Sequence, residues 1–461
     1  MNTSRQTSVV SSNISNAHDP NYSRRIAQTV STAPGARILN VKRLADDSLF
    51  RQNLSALSAF NGQNFLMSGL DRIGTSVNGP DNATSPAKMI GKLQEAMQLY
   101  SSNPSNRNLA ESAVESARAV VASLNKGSSE IQAMRADMDK QISTAVEELN
   151  SLLGQFEKVN AEVINGTRMG SDISDVLDQR DTLLKDISEY VSISTIVRGQ
   201  NDIVITTNDG ATLFETIPRE VTFDATLAYQ AGTTGEMIRI DGVPVVAGNG
   251  ANTTASGKLA AMIQLREDVA VKQQAQLDEV ARGLILAFAE DEAGDIAGLF
   301  TAPGPFPEDT LINGLAASIR VNALYDSQQG GDPEALRDGA TVVLNPTGAA
   351  SFSETLLSYL DLLEADRPFD PAAGLFATGS LTDFSTESVG WLEGNRKAAS
   401  FAMENKDATL MRTEQALSNK TGVNIDQEMA MLLDLEHSYA ASARMLQAVD
   451  EMLATLLNAV R

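Results

Sequence analysis

From Ile131 to Val163 the chain places Ile131, Met134, Met138, Ile142, Ala145, Leu149, Leu152, Phe156, Val159 and Val163 at steps of three and four. At 3.6 residues per turn, those steps put all of these side chains on one narrow face of a single helix. Such a helix runs about 50 Å at 1.5 Å per residue, and its seam can leave water only against helices of similar length. A rod-like bundle is the expected outcome. The flanking sequence supplies partners. Phe50, Leu54, Leu57, Leu66, Leu70 and Ile73 fall on related faces of one segment, and Ile90, Leu93, Met97 and Tyr100 follow at threes and fours in another. Residues 44–191 therefore read as the N-terminal part of a helical bundle.

After Tyr190 the pattern changes. The segments ISTIVRGQNDIVITT and EMIRIDGVPVV are rich in β-branched residues and are followed or broken by Asn-Asp-Gly and Asp-Gly. Asp241-Gly242 between two short apolar runs signals a hairpin, because a type I′ turn needs positive φ at both central positions. Pro244 lacks an N–H and belongs on an edge. Residues 192–256 read as a small β domain. Helical periodicity returns over 257–290 with Leu259, Met262, Val269, Leu277, Val280, Leu284 and Phe288. Clusters of Gly, Pro and Asp predict irregular or short-stranded structure over 291–350, and helix resumes over 351–421. Within 422–461, Leu432, Tyr439, Leu446, Leu453 and Val460 fall at steps of seven, with Met429, Ala443 and Leu457 at complementary positions.

Residues 1–43 open with a polar, marginal helix whose strongly apolar positions are Val9, Val10 and Ile14. Pro20 and Asn21 should end it, and the remainder reads as turn and linker. The ends of the chain are helical and the middle is β. The fold class is thus mainly α with a β insertion, in which the chain goes out along a bundle and returns.

Against 36 Lys plus Arg stand 59 Asp plus Glu, a formal charge of −23. That balance repels nucleic acid and anionic membranes, and neither is an expected partner. With no Cys, disulfides, thiolate metal sites and cysteine nucleophiles are excluded. No run reaches the roughly 18 apolar residues of a membrane helix, and MNTSRQTSVVSSNIS lacks the apolar stretch of a secretory signal.

The chemistry-bearing residues have ordinary readings. His18 and His437 have no Cys or carboxylate pair around them and read as solvated. The stretch GANTTASGK, Gly250 to Lys258, resembles a phosphate loop, but its glycines are wrongly spaced and Leu259 stands where Mg²⁺ binding needs Ser or Thr. Ser256 and Gly257 are expected to start a helix instead. In LDQRD, Asp178 and Asp181 share a helix face beside Arg180 and predict surface or inter-helix ion pairs. DEAGDIAG lacks calcium-loop spacing. No catalytic residue, cofactor or metal is expected. The C-terminal stripe fits either an internal core helix or a coiled coil with another segment or another chain.

Four segments carry a family resemblance. SSNISNAHDPNYSRR at 11–25, with Ser12, Asn13, Asn16, Tyr22, Ser23 and Arg24, resembles the N-terminal signature of flagellar rod, hook and hook-associated proteins. The ending at 422–461, with Ala441, Ser442, Ala443, Arg444, Asp450, Glu451, Met452 and Leu453, is similar to theirs. VLDQRDTLLKDISEYVSIS at 176–194, with Asp178, Gln179, Arg180 and Asp181, and GKLAAMIQLRED at 257–268 resemble the branch of that family found at the hook–filament junction.

The resemblance implies a non-enzymatic structural subunit, exported through the flagellar type III apparatus without a cleaved signal and located outside the cell. Its terminal helices would pack together as a long antiparallel coiled coil in the tube core, the bundle would form the next layer, and the small β domain would face outward. Implied partners are the hook protein, the second junction protein, further copies in a ring, and a cytoplasmic export chaperone on the C-terminal helix. Val10, Ile14, Met429, Leu432, Tyr439, Leu446, Leu453 and Leu457 are the expected assembly contacts. The termini would be disordered in the free chain, because one narrow apolar face does not offset an ordering cost of roughly 1–2 kcal/mol per residue.

Within the same class stand the second junction protein and a flagellin-like subunit, against which VLDQRD and SARMLQAVDEML argue. From another class stands a metal-dependent helical enzyme using the acidic clusters. The family usually carries a further apolar turn or two before the N-terminal signature, whereas Met1 stands only ten residues before Ser11. Either Met1 is internal to a longer product or the first helix is shorter here. The chain is also short for the family, which implies a missing outer domain.

Overall fold

A computed structural model describes residues 2–32, 35–245, 257–291, 296–307 and 310–459. The chain opens with α1 (Asn2–Ser15) and an antiparallel hairpin of β1 (Arg25–Thr32) and β2 (Gly35–Arg43). Next come α2 (Asp47–Ile73), started by the Asp46 carboxylate on the Ser48 and Leu49 N–H groups, and α3 (Pro86–Ser102), with proline in its first turn. α4 (Arg107–Met169) begins at the Asn106 cap and stops at left-handed Gly170, and α5 (Ser174–Tyr190) follows. β3 (Ile193–Val197), β4 (Ile203–Thr207) and β5 (Thr212–Phe214) form one three-stranded sheet. β6 (Val221–Thr222), β7 (Arg239–Ile240) and β8 (Val243–Pro244) form another. α6 (Lys258–Gln264) and α7 (Ala270–Ala287) flank a π turn at Leu265–Val269. Short pieces follow: β9 (Phe300–Thr301), α8 (Leu315–Ser318), β10 (Arg320–Val321), α9 (Ala335–Asp338), α10 (Glu354–Glu364), β11 (Arg367–Pro368) and β12 (Thr378–Gly379). The chain closes with α11 (Leu381–Thr421) and α12 (Ile425–Ala459).

The apolar seam sits on α4, a helix of 63 residues and so about 95 Å long at 1.5 Å per residue. Its buried side is the expected one except at one step: Leu153 is buried and Leu152 only half-buried. A straight helix turns slightly less than a strict 3.5-residue repeat requires, so the buried line slips by one residue along its length. The out-and-return path is formed by α11 lying antiparallel along α2. Asn53 meets Thr413, Asp71 meets Arg396 and Asn78 meets Ser388.

One face of the β3–β5 sheet is continuous with this core. Ile203, Ile205, Leu213 and Phe214 are buried, and Phe214 meets Phe156 of α4 edge-on at 5.0 Å between ring centres. The other face turns outward, with Ile196 exposed. Asp241 and Gly242 take positive φ of 49° and 79° between β7 and β8, and Pro244 lies on an edge strand, as the turn chemistry predicts.

Ser256 lies outside the described residues. Gly257 does start α6, with φ of 105°, its N–H donating to the Ser58 carbonyl at 3.0 Å. A Cβ there would fall 2.5 Å from the Tyr190 carbonyl oxygen, so this glycine is required by both its conformation and its contact.

Two features depart from the sequence reading. Residues 25–43, expected as part of a linker, form the β1–β2 hairpin. An isolated two-stranded hairpin is marginal in water, and this one is ordered by lying against α1 and α5. Second, from Gln273 onward α7 is enclosed on its polar side as well as its apolar one: Gln273, Gln274, Gln276, Asp278, Glu279 and Arg282 are all buried with its apolar residues. The short elements between 296 and 380 wrap around it and present backbone groups that need polar partners. Asp278 accepts from the Gly314 and Ala316 N–H groups, and Gln276 donates to the Ala373 carbonyl.

Candidate assembly site at the junction of the chain ends

Arg24 and Arg25 are consecutive in an extended stretch, so their side chains leave on opposite sides. Arg24 reaches α12, where its Nε donates to Glu428 Oε1 at 2.6 Å. Glu428 is 1% exposed, and its other oxygen accepts from Asn13 Nδ2 at 3.0 Å. Asn13, itself buried, is the knot of the arrangement. Its Nδ2 also donates to the Arg25 carbonyl at 2.9 Å, and its Oδ1 accepts from Tyr22 Oη at 2.9 Å and the Arg25 N–H at 3.0 Å. The backbone closes the ring. The Arg24 N–H donates to the Thr421 carbonyl at 2.7 Å, and Asn424 Oδ1 caps α12 on the Gln427 N–H at 3.1 Å. The N-terminal signature thus works as a set of donors and acceptors around one buried carboxylate on the last helix.

Arg25 faces the body. In the hairpin register it stands directly opposite Arg43, a like-charge pairing that destabilises a hairpin unless carboxylates intervene. Three on α5 do so. Arg25 bonds Asp175 at 2.5 Å and Asp178 at 3.2 Å; Arg43 bonds Asp178 at 2.9 Å and Asp181 at 2.5 Å. Asp178 bridges both guanidiniums. Burial works against the Arg43 charge, yet Asp181 and Asp178 outweigh it and hold its pKa above the usual range. Burial likewise pushes the Asp181 carboxyl up, with Arg43 opposing the shift.

Arg180, between those aspartates in sequence, points elsewhere. Its Nη1 donates to Asn160 Oδ1 at 3.1 Å and the Asn201 carbonyl at 2.5 Å, and burial pulls its pKa down to about 10. Beneath the 16–23 turn lies a cleft of about 550 Å³ walled by α5, the start of α2 and the end of α11. There Lys185, its pKa lowered by burial, donates to Asn21 Oδ1 at 2.9 Å.

The predicted assembly residues fall into two groups. α1 packs along α12, with Val10 buried, and Ile14 and Leu432 half-buried. Met429, near the start of α12, is exposed, and so further along are Tyr439, Leu446, Leu453 and Leu457, Tyr439 at 63% and Leu446 at 68%. Ala441, Ser442, Ala443, Arg444, Asp450, Glu451 and Met452 are exposed on the same helix, and Val460 lies outside the described residues. Of the N-terminal signature, Ser12 Oγ lies 3.4 Å from Tyr22 Oη, whose own proton goes to Asn13, Asn16 Nδ2 bonds the Ser12 carbonyl at 2.9 Å, and Ser23 lines the cleft. Gln179 and His437 are exposed, and exposed His18 lies at the cleft. Arg25, Arg43, Asp175 and Glu428 were missed as site residues. The doubled Arg24-Arg25 was the available signal, since adjacent side chains in an extended stretch leave on opposite sides. Among the described residues no group of three or more His, Cys, Asp or Glu is placed to hold a metal, and no helix is long and apolar enough to cross a membrane.

The model of the flagellar hook-associated protein FlgK helical domain matches residues 71–296, and that of the flagellar basal body rod FlgEFG protein C-terminal region matches residues 414–459. Flagellar hook-associated protein 1 of Bacillus subtilis (strain 168) is 21% identical over 402 residues, covering 80% of this chain and 75% of that protein. Residues 71–296 thus carry the helical domain of FlgK, a flagellar hook-associated protein. The solved flagellar hook junction protein FlgK from Burkholderia pseudomallei shares 15% identity with a TM-score of 0.42, over 56% of this chain and 47% of that one. The C-terminal match spans the end of α11 and α12, and so contains Asn424 and Glu428.

Proposed function

We propose that the chain is a structural subunit joining hook to filament, exported unfolded through the flagellar type III apparatus and built into a ring outside the cell by its terminal helices. The observation that carries this reading is the uncovered apolar face of α12. α1 has 14 residues against 35 in α12, so it can lie along less than half of that helix. Beyond it stand Tyr439, Met445, Leu446, Val449, Met452, Leu453, Leu456 and Leu457, all exposed. Covering eight such side chains is worth on the order of 10 kcal/mol, a driving force for association of α12 with neighbouring helices.

Val10, Ile14, Met429, Leu432, Tyr439, Leu446, Leu453 and Leu457 are the assembly contacts in this reading. Copies of the chain, the hook protein and the second junction protein supply the neighbours. The bundle segments 44–191, 257–290 and 351–421 form the layer around the tube core, and the β insertion 192–256 lies farther out. Before export, a cytoplasmic chaperone would shield the same face of α12 by the helix-in-groove mode. The test is complementation of a strain lacking the gene, which should secrete unpolymerised flagellin. Leu446→Asp should fail to restore the junction while keeping the native helical circular dichroism. Incorporation of the variant at normal levels would sink the reading.

A further inference from the structure

We infer that an uncharged strap at 225–235, with Leu227 at its tip, docks on a second copy of this chain, where the uncharged loop 339–353 receives it. The inference rests on the ring assembly proposed above and names one contact within it.

The strap lies between β6 and β7 and belongs to no helix or strand, yet four charged side chains of the body hold it. The buried Asp139 carboxylate on α4 accepts from the Thr226 N–H at 2.6 Å and from Tyr229 Oη at 2.9 Å. Arg135 lies over the Tyr229 ring at 4.4 Å and donates to the Thr233 carbonyl at 2.6 Å. Arg266, paired with Asp139, donates to the Glu236 carbonyl at 2.5 Å, and Glu267 accepts from the Gly235 N–H at 3.2 Å. Buried charges of this kind add little net stability, and what they supply here is one fixed conformation. Thr226 and Tyr229 are tied to the same carboxylate, so the chain between them bows outward. Leu227, in that bow, is 98% exposed. A rigidly held loop with an uncovered apolar tip is built for recognition.

Charge decides what covers it. At −23, two copies repel over most approaches, and they meet at least cost where neither carries charge. Residues 225–235 contain no Asp, Glu, Lys or Arg, and neither do residues 339–353. The second segment is built like the first. It lies outside helices and strands between α9 and α10. The buried Glu290 carboxylate pins it, accepting from the Thr341 N–H at 2.8 Å and the Val342 N–H at 2.6 Å. Beside them Val343 is 75% exposed. Arg118 of α4 bonds Asp326, next to the Tyr325 that also holds Glu290. The two anchors are therefore about 30 Å apart along α4, from Asp139 to Arg118. Two different patches on one chain make a head-to-tail contact. The strap of each copy meets the loop of the next, which is shifted along the rod by that distance.

The chain has no cysteine, so introduced ones are unique. Leu227→Cys and Val343→Cys are combined in one chain that replaces the native one, and junctions from sheared flagella are treated with a flexible bismaleimide. Dimers, trimers and longer multimers are expected, with linked peptides joining positions 227 and 343, while each single variant stays monomeric. A double variant present in the junction at native levels but left monomeric, or a dimer from either single variant, would overturn the contact and leave the ring assembly standing. Absence of the native chain from the junction would overturn the ring assembly itself. In a strain making both chains, Leu227→Asp should enter the junction about tenfold less than the native chain, with unchanged thermal unfolding because the side chain is exposed. Equal entry of the two chains would also overturn the contact.

Discussion

Removing Arg24 and neutralising Glu428 break the same 2.6 Å contact, yet the two changes should not cost the same. In Arg24→Ala the carboxylate of Glu428 stays at 1% exposure with only the neutral amide of Asn13 to face it. Breaking a buried pair in this way costs about 3–5 kcal/mol. The penalty has a ceiling, because an orphaned carboxylate can take up a proton; for an ordinary glutamate at pH 7 that costs about 3.7 kcal/mol. Glu428→Gln instead leaves the charge on Arg24, which is 20% exposed and can turn to water on its flexible stem. The loss there is about 1–2 kcal/mol, a weakened hydrogen bond. Neither change touches the main core, so both should act on local opening of the hairpin and the first turns of α12.

Hydrogen exchange at the β1 amides and at Glu428 N–H is the assay, followed between pH 5 and 8 after correction for intrinsic rates. At pH 7, Arg24→Ala should open these amides about tenfold to a hundredfold more than Glu428→Gln. Its excess should shrink as pH falls, by up to tenfold per unit, because protonation relieves the stranded charge. Glu428→Gln should show no such slope. Equal opening in the two variants, or a pH-independent excess, would refute the reasoning.

Two further predictions concern the body. Burial pushes the Asp278 carboxyl up to about 6, against the opposing Ala316 and Gly314 N–H groups; a raised carboxyl favours the protonated folded form. Body stability should therefore fall as pH rises from about 4 to 6, by at most about 3 kcal/mol from this group, and a pH series of melting curves on Asp278→Asn should have a flatter slope there. Phe156→Ala removes a buried ring packed against Phe214 and should destabilise the body by about 3–5 kcal/mol in urea titration, with exchange in β5 rising alongside that of α4.

Periodicity made the long helices legible because burial on one face follows from the geometry of the backbone alone. The Leu152 and Leu153 exchange shows how far that goes: the seam was right, and its phase drifted by one residue. The Asp241-Gly242 turn was legible because two adjacent positive φ values have few solutions in sequence. α7 was only half legible. Its apolar residues were legible from their spacing, but that spacing gave no sign that Gln273, Asp278 and Glu279 are buried too. Polar residues carry no mark of whether water or an enclosed backbone group will satisfy them. The hairpin at 25–43 escaped because its strands are half polar and gain order only from the elements against them.

At the candidate site, the sequence by itself determined that two terminal helices exist, that α12 carries an apolar stripe, and that Asp178 and Asp181 share a face, since all of these are local consequences of helical spacing. Only the tertiary structure decided that Arg24 meets Glu428, 404 positions away, and that Arg25 and Arg43 close on α5. Those pairings depend on α11 returning along α2 and on the hairpin register, and a charge can be satisfied by any opposite charge that the rest of the fold delivers to it.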